Sequence, residues 1–153
     1  MVAEVQTKLK SLYDTDYHLW VTETVKQLQN RELDSLDWEN LIEEVSDLSR
    51  RNQKKLKSLL KLLFEHLLKL KYWQAEIDRN QNHWKREIRN FRQQIQDELA
   101  DSPSLTRYFI GIIPDCYQSA RKLVADDTGF KLNSFPKEAI ASFEQILDEN
   151  WLP

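Results

Sequence analysis

At 153 residues the chain fits one domain with a core of its own, and 41% hydrophobic against 31% charged residues excludes a disordered composition. Two glycines and a scarcity of β-branched residues exclude a strand-rich fold with many tight turns. The single cysteine, Cys116, excludes an internal disulfide, and the net charge of −3 argues against a globally basic nucleic-acid binder.

The N-terminus, MVAEVQTKLKSLYDTD, has no apolar core followed by a cleavage site, so no secretory signal is expected and the default location is cytoplasmic. Residues 1–12 are open to disorder. The first helix is expected to start at Asp14 or Thr15, either of which can cap the free N–H groups of a first turn. Tyr13, Tyr17, Trp20, Val21, Thr24 and Leu28 then fall on one face of a 3.6-residue repeat. After the link NRELDSLD, Asp37 or Ser35 can cap the next helix.

From Trp38 to Trp73 there is neither Gly nor Pro. At 100° per residue one stripe holds Leu41, Ile42, Val45, Leu48, Leu56, Leu59, Leu60, Leu63, Leu67 and Leu70 in constant phase, which predicts one long helix over roughly 38–72. Ser49 and Asn52 interrupt that stripe and mark the place for a kink or a polar contact. The segment LLKLLFEHLLKLKYW is too broken by Lys61, Glu65, His66 and Lys69 to span a bilayer.

The segment AEIDRNQN is expected to turn the chain. A narrow seam of Ile77, Trp84, Ile88, Phe91, Ile95 and Leu99 then predicts a helix antiparallel to the long one. In DSPSL, Ser102 is placed as cap and Pro103 as first helical residue. Pro114 predicts a break or kink in GIIP, Gly129 a C-terminal cap, and Ser134 and Pro136 the start of a last helix carrying Ile140, Phe143 and Leu147. The apolar tail residues Trp151 and Leu152 are expected to dock. The fold class is all-α: a single-domain bundle of about five helices around the long helix.

Six strings occur in order: LYDTDYHLW (12–20), LDWENLIEEVSDL (36–48), LLKLLFEHLLKLKYW (59–73), HWKREI (83–88), DSPSL (101–105) and the closing FP…LDENWLP. Together they resemble the domain-of-unknown-function family 29, small bacterial helical proteins numerous in cyanobacteria. The resemblance implies a stand-alone all-helical domain, with no assigned activity and no catalytic or ligand residues to carry over.

Among polar residues, His66 sits between Leu59, Leu62, Leu63, Leu70 and Trp73 at helical spacing, so it is expected to be buried or nearly buried and hydrogen-bonded as a core residue. A catalytic base at His66 with Glu44 is the enzymatic alternative, but neither has the further ligands or partners that metal or base chemistry requires. Glu43 falls opposite the stripe and Glu44 at its rim. His83 and Glu87, four apart, read as a surface pair, and Cys116 as a packed thiol.

Charge is segregated. Residues 50–92 carry 13 Lys and Arg against 4 Asp and Glu, while residues 1–49 carry 4 against 11 and residues 93–153 carry 5 against 10. Arg50, Lys54, Lys57 and Lys61 form one row, and Lys85, Arg89 and Arg92 a second. These are the candidate binding residues, suited to backbone electrostatics at most, because no free aromatic platform or phosphate loop accompanies them. The sequence therefore predicts a non-catalytic helical module that binds a macromolecular partner or itself as a homo-oligomer. Nucleic-acid binding through 50–92 is the alternative, and an enzyme or metal site at His66 a further one. No cofactor, resident metal or membrane span is called for.

Overall fold

The computed structural model describes all residues, 1–153, as six α-helices with two 3-10 turns and no strand. The helices are α1 (Val2–Thr15), α2 (Tyr17–Gln29), α3 (Trp38–Tyr72), α4 (Gln74–Asp101), α5 (Leu105–Thr128) and α6 (Phe143–Leu147). The chain divides into two compact units, Met1–Arg50 and Arg51–Pro153, with the boundary inside α3.

In the first unit the helical run begins at Val2, earlier than the sequence suggested. The cap is Asp16 and not Asp14 or Thr15: its extended backbone separates α1 from α2, and its carboxylate accepts from the Leu19 N–H at 3.1 Å. Helix α2 ends in a Schellman turn, with Glu32 N–H donating to the Gln27 carbonyl and Arg31 N–H to that of Leu28. Arg31 takes the left-handed conformation (φ 60°) that glycine usually fills. Asp37 caps α3 as expected, accepting from the Asn40 N–H. It is also the unit's buried hub, since its Oδ2 accepts from Trp20 Nε1 at 3.1 Å and from the Asn40 amide at 2.7 Å.

The second unit is held by one apolar core to which α3, α4 and α5 contribute. Contacts fix the directions. Lys55 meets Glu98, the His66 ring meets Phe91, and Trp73 stacks on Trp84, so α4 runs antiparallel to α3. The Tyr108 hydroxyl donates to the Gln53 carbonyl, Phe64 packs on Tyr117 and Lys69 pairs with Asp127, so α5 runs parallel to α3. The leucine stripe from Leu56 onward and the seam from Trp84 to Leu99 are both buried. Truncating a member such as Leu60 or Ile95 to alanine would cost about 2–5 kcal/mol.

Several boundaries differ from the sequence reading, each for a local reason. AEIDRNQN does not turn the chain; it is the first part of α4. The turn is made by Trp73 alone (φ −89°, ψ 66°), and the Gln74 amide donates to the Lys71 carbonyl across it. Ser102 and Pro103 precede α5 in a turn closed by the Leu105 and Thr106 N–H groups, so the helix opens at Leu105. Helix α5 runs through Pro114 without a break. Open space surrounds Gly111, so this position is not one that requires a glycine. Gly129 caps α5 in the left-handed conformation as expected (φ 75°).

Pro136 opens no helix. The chain from Phe130 to Ser142 is mostly irregular, and the last helix is the five-residue α6, closed at its start by a reciprocal Ser142–Gln145 capping box. A helix that short has no stability of its own. Its last carbonyls are satisfied by α4: Arg92 donates to Gln145 and Ile146, and Gln96 to Leu147. Helix α5 holds the preceding segment in the same way, Tyr117 donating to the Pro136 carbonyl at 2.6 Å and Arg121 to that of Phe135. Trp151 packs against the core, with the Arg92 guanidinium 6.0 Å from its ring centre.

Candidate interaction surface

The constant phase of the stripe does not mean constant burial. From Leu56 onward it is core, whereas Trp38, Ile42, Val45 and Leu48 are 47%, 61%, 58% and 57% exposed. Within the first unit α3 uses a different face inward. Asn40 bonds Asp37, and Glu44 accepts from the Tyr13 and Tyr17 hydroxyls at 2.7 Å each. The polar face is thus held by α1 and α2, and the apolar face is left outside. Ser49 and Asn52, expected in a core seam, are exposed too.

Leu28 of α2 borders this face, and with Trp38, Leu41, Ile42, Val45 and Ser46 it lines an open groove of about 370 Å³. The Trp38 ring is fixed at one edge by its Nε1, which donates to the Leu33 carbonyl at 3.0 Å. Sequence periodicity identified every apolar member of the face; what it could not tell was which of two helix faces α1 and α2 would choose.

Beneath the groove the first unit is ordered by aromatic contacts. Tyr13 and Trp20 meet edge to face at 5.0 Å, and Tyr17 stacks on Trp20 at 5.9 Å. The carboxylate of Glu44 pushes the Tyr13 phenol up to about 12, chiefly through their hydrogen bond. Two buried atoms, Thr24 Oγ1 and Gln27 Oε1, have no hydrogen-bond partner.

His66 is half-buried and not fully enclosed. Its Nδ1 bonds the Leu62 carbonyl at 2.8 Å, which assigns the proton to that nitrogen, and its ring lies edge-on to Phe91. Burial lowers its pKa from the ordinary value, so the neutral ring is favoured. Glu44, the other candidate, belongs to the first unit and serves as acceptor for two tyrosines. A backbone-bonded imidazole and a tyrosine-bound carboxylate are ordinary structural arrangements. No group of three or more His, Cys, Asp or Glu is placed to hold a metal ion. Cys116 is buried among apolar groups, which push its thiol up to about 11, and it lies within α5, not at a helix start.

The two cationic rows fare unequally. Arg92 leaves its row: it is 1% exposed, and its guanidinium is committed to the α6 carbonyls. Arg50 bonds Glu43 at 3.1 Å and Asp47 at 2.6 Å. Lys54, Lys57, Lys85 and Arg89 are exposed, and Lys61 is half-buried beside Leu62 and Glu65. Glu65 is itself raised above the ordinary carboxylate range, mainly by burial.

No helix is long and apolar enough to cross a membrane. A family model described as "Domain of unknown function DUF29" matches residues 12–152. No curated protein and no solved structure matches the chain.

Proposed function

Starting from the chain's membership of the DUF29 family, we propose that the protein is a non-catalytic helical interaction module that binds another macromolecule or a further copy of itself. One observation carries the reading: Trp38, Leu41, Ile42, Val45 and Leu48 form a continuous apolar strip over three turns of α3, four of them about half exposed or more. Scattered surface leucines are ordinary, but a contiguous apolar strip beside a groove is the mark of a contact surface. Apolar residues three and four apart on one helix face are the anchors by which amphipathic helices dock into apolar grooves.

The test compares wild type with an Ile42→Asp/Val45→Asp double variant. Each protein is immobilised to capture partners from cell extract, and its mass in solution is measured. Wild type is expected to bind and the variant to lose binding with its helix content unchanged. Indistinguishable behaviour in both measurements would remove the reading.

Nucleic-acid binding through the basic region retains Lys54, Lys57, Lys85 and Arg89 but has Arg50 and Arg92 engaged within the chain. That reading expects binding that weakens steeply with salt.

A further inference from the structure

The two units are unequally built. In the first, Leu9, Trp20 and Leu36 are the only buried apolar side chains, whereas the core of the second draws on all three of its long helices. Most of the large apolar residues left exposed nevertheless belong to the first unit, the smaller of the two. Its closed form also carries costs that opening removes. Thr24 Oγ1 and Gln27 Oε1 are buried without a partner, and Arg31 holds a left-handed backbone. A unit of this size with so small a core is only marginally stable.

Polar contacts tie its parts together. Trp20 of α2 and Asn40 of α3 both donate to the Asp37 carboxylate, and Tyr13 of α1 and Tyr17 of α2 both donate to Glu44. Loss of any one helix therefore strips partners from the other two. Beyond Leu48 the character of α3 changes. From residue 49 to residue 55, about two turns, it carries no buried side chain, and the next one inward is Leu56. Ser49 and Asn52 are also weaker helix formers than the leucines and lysines that follow.

We infer that residues 1–50 open as one cooperative unit, α3 melting back toward Leu56, while residues 51–153 stay folded. This opening costs less than global unfolding because the second core, from Leu56 to Ile146, is not taken apart. It is independent of what covers the exposed strip and governs when that strip exists. Trp38, Ile42, Val45 and Leu48 share a face only while α3 is helical there, so opening dismantles the contact surface. A partner that binds the closed unit raises the cost of opening, and conditions that favour opening release the partner. The first unit is thus an order–disorder switch for the surface it carries.

The experiment is amide hydrogen exchange on the full chain at rising, sub-denaturing urea. The expected result is one shared opening for α1, α2 and residues 38–48, with a step in α3 between Leu48 and Leu56. Protection there should be about a hundredfold or more below that of residues 59–70, 88–99 and 113–124. Two variants separate the units. Leu36→Ala should lower protection about thirtyfold or more in 1–50 and leave 56–124 unchanged. Full loss of protection in 1–50 with 56–124 intact is the same outcome at its limit. Ile95→Ala should lower protection in 56–124 and leave that of 1–50, which opens first, unchanged. Equal protection throughout the chain, a Leu36→Ala effect that spreads to 56–124, or α1 opening without α2 and 38–48 overturns the proposal. A partner captured through Ile42 and Val45 supports the interaction module whichever way the exchange result falls.

Discussion

The buried Arg92 of α4 donates through Nε to the carbonyl of Ile146, fifty-four residues later in the chain, at 2.8 Å. The same guanidinium reaches the Gln145 carbonyl at 3.1 Å. Burial lowers the Arg92 pKa, with Asp148 and Glu149 opposing that shift, and the side chain acts as the far cap of a helix too short to stand alone.

Removing that cap is predicted to loosen the C-terminal segment first. Arg92→Met keeps the apolar stem but leaves two carbonyls without donors, at about 1–3 kcal/mol each. Chemical denaturation should show the loss, and limited proteolysis should cut between 130 and 153 before the three-helix core. Arg92→Lys, with one donor centre in place of a planar fork, should fall between wild type and Arg92→Met.

His66 predicts a pH dependence of definite sign. Its pKa in the folded chain lies below the unfolded value of about 6.5, because burial disfavours the cation and Lys69 and His83 add to that effect. The bond to Leu62 and the charge of Glu87 act the other way. Between the two values the unfolded chain binds a proton that the folded chain does not. The contribution is therefore complete above 6.5 and is lost as pH falls through the folded value. Glu65, raised above 4.5, has the opposite dependence, losing stability as pH rises through its folded value. Comparing wild type with His66→Gln isolates the first: wild type should lose denaturation midpoint below pH 6.5 more steeply than the variant. Parallel profiles would show that His66 does not titrate differently on folding.

The Tyr13–Glu44 bond is open to direct titration. Tyr13 should remain protonated well beyond pH 10, with its phenol near 12. Glu44→Gln removes the carboxylate that accepts the Tyr13 and Tyr17 hydroxyl protons, so the difference in ultraviolet absorbance between the two proteins should show at least one tyrosine ionising earlier in the variant. No difference would mean that the two side chains part in solution.

Arg31 supplies a backbone test. A residue with a Cβ in the left-handed region costs about 1–2 kcal/mol, and glycine recovers that at an entropic cost of about 0.5–1 kcal/mol. Arg31→Gly is therefore predicted to be neutral to mildly stabilising, and Arg31→Val clearly destabilising, measured by thermal melting. A large loss in Arg31→Gly would show that the arginine side chain contributes more than the turn's geometry indicates.

These residues also show what the chain makes legible. The stripe from Leu56 to Leu70 and the seam from Trp84 to Leu99 could be read from spacing, because burial and periodicity agree there. The helix end at Arg31 could not, since the usual signal is glycine and the chain uses a strained arginine. Pro114 misled for the complementary reason: a proline predicts a break, but α5 is held on both sides of it by buried Phe109, Ile113, Tyr117 and Ala120. In the candidate surface, the apolar residues were visible and their exposure was not. Whether Ile42 and Val45 face protein or water depends on α1 and α2 bonding Glu44 and enclosing Asp37, and that choice is made by side chains distant in sequence. Arg92 reads as a surface residue in the sequence, because nothing near it in the chain marks the α6 carbonyls that it caps.

The single-residue joint at Trp73 sets a rule for how this chain can change. One residue added to or deleted from either neighbouring helix would rotate its side chains by about 100° and shift them about 1.5 Å relative to the partner helix. The slip would pull Ile88 and Ile95 away from the leucines they meet, and no slack exists at the joint to absorb it. Insertions of a residue or two should thus be tolerated in the irregular stretch 130–142 and rejected between Leu56 and Leu99, so that α3 and α4 can lengthen only together.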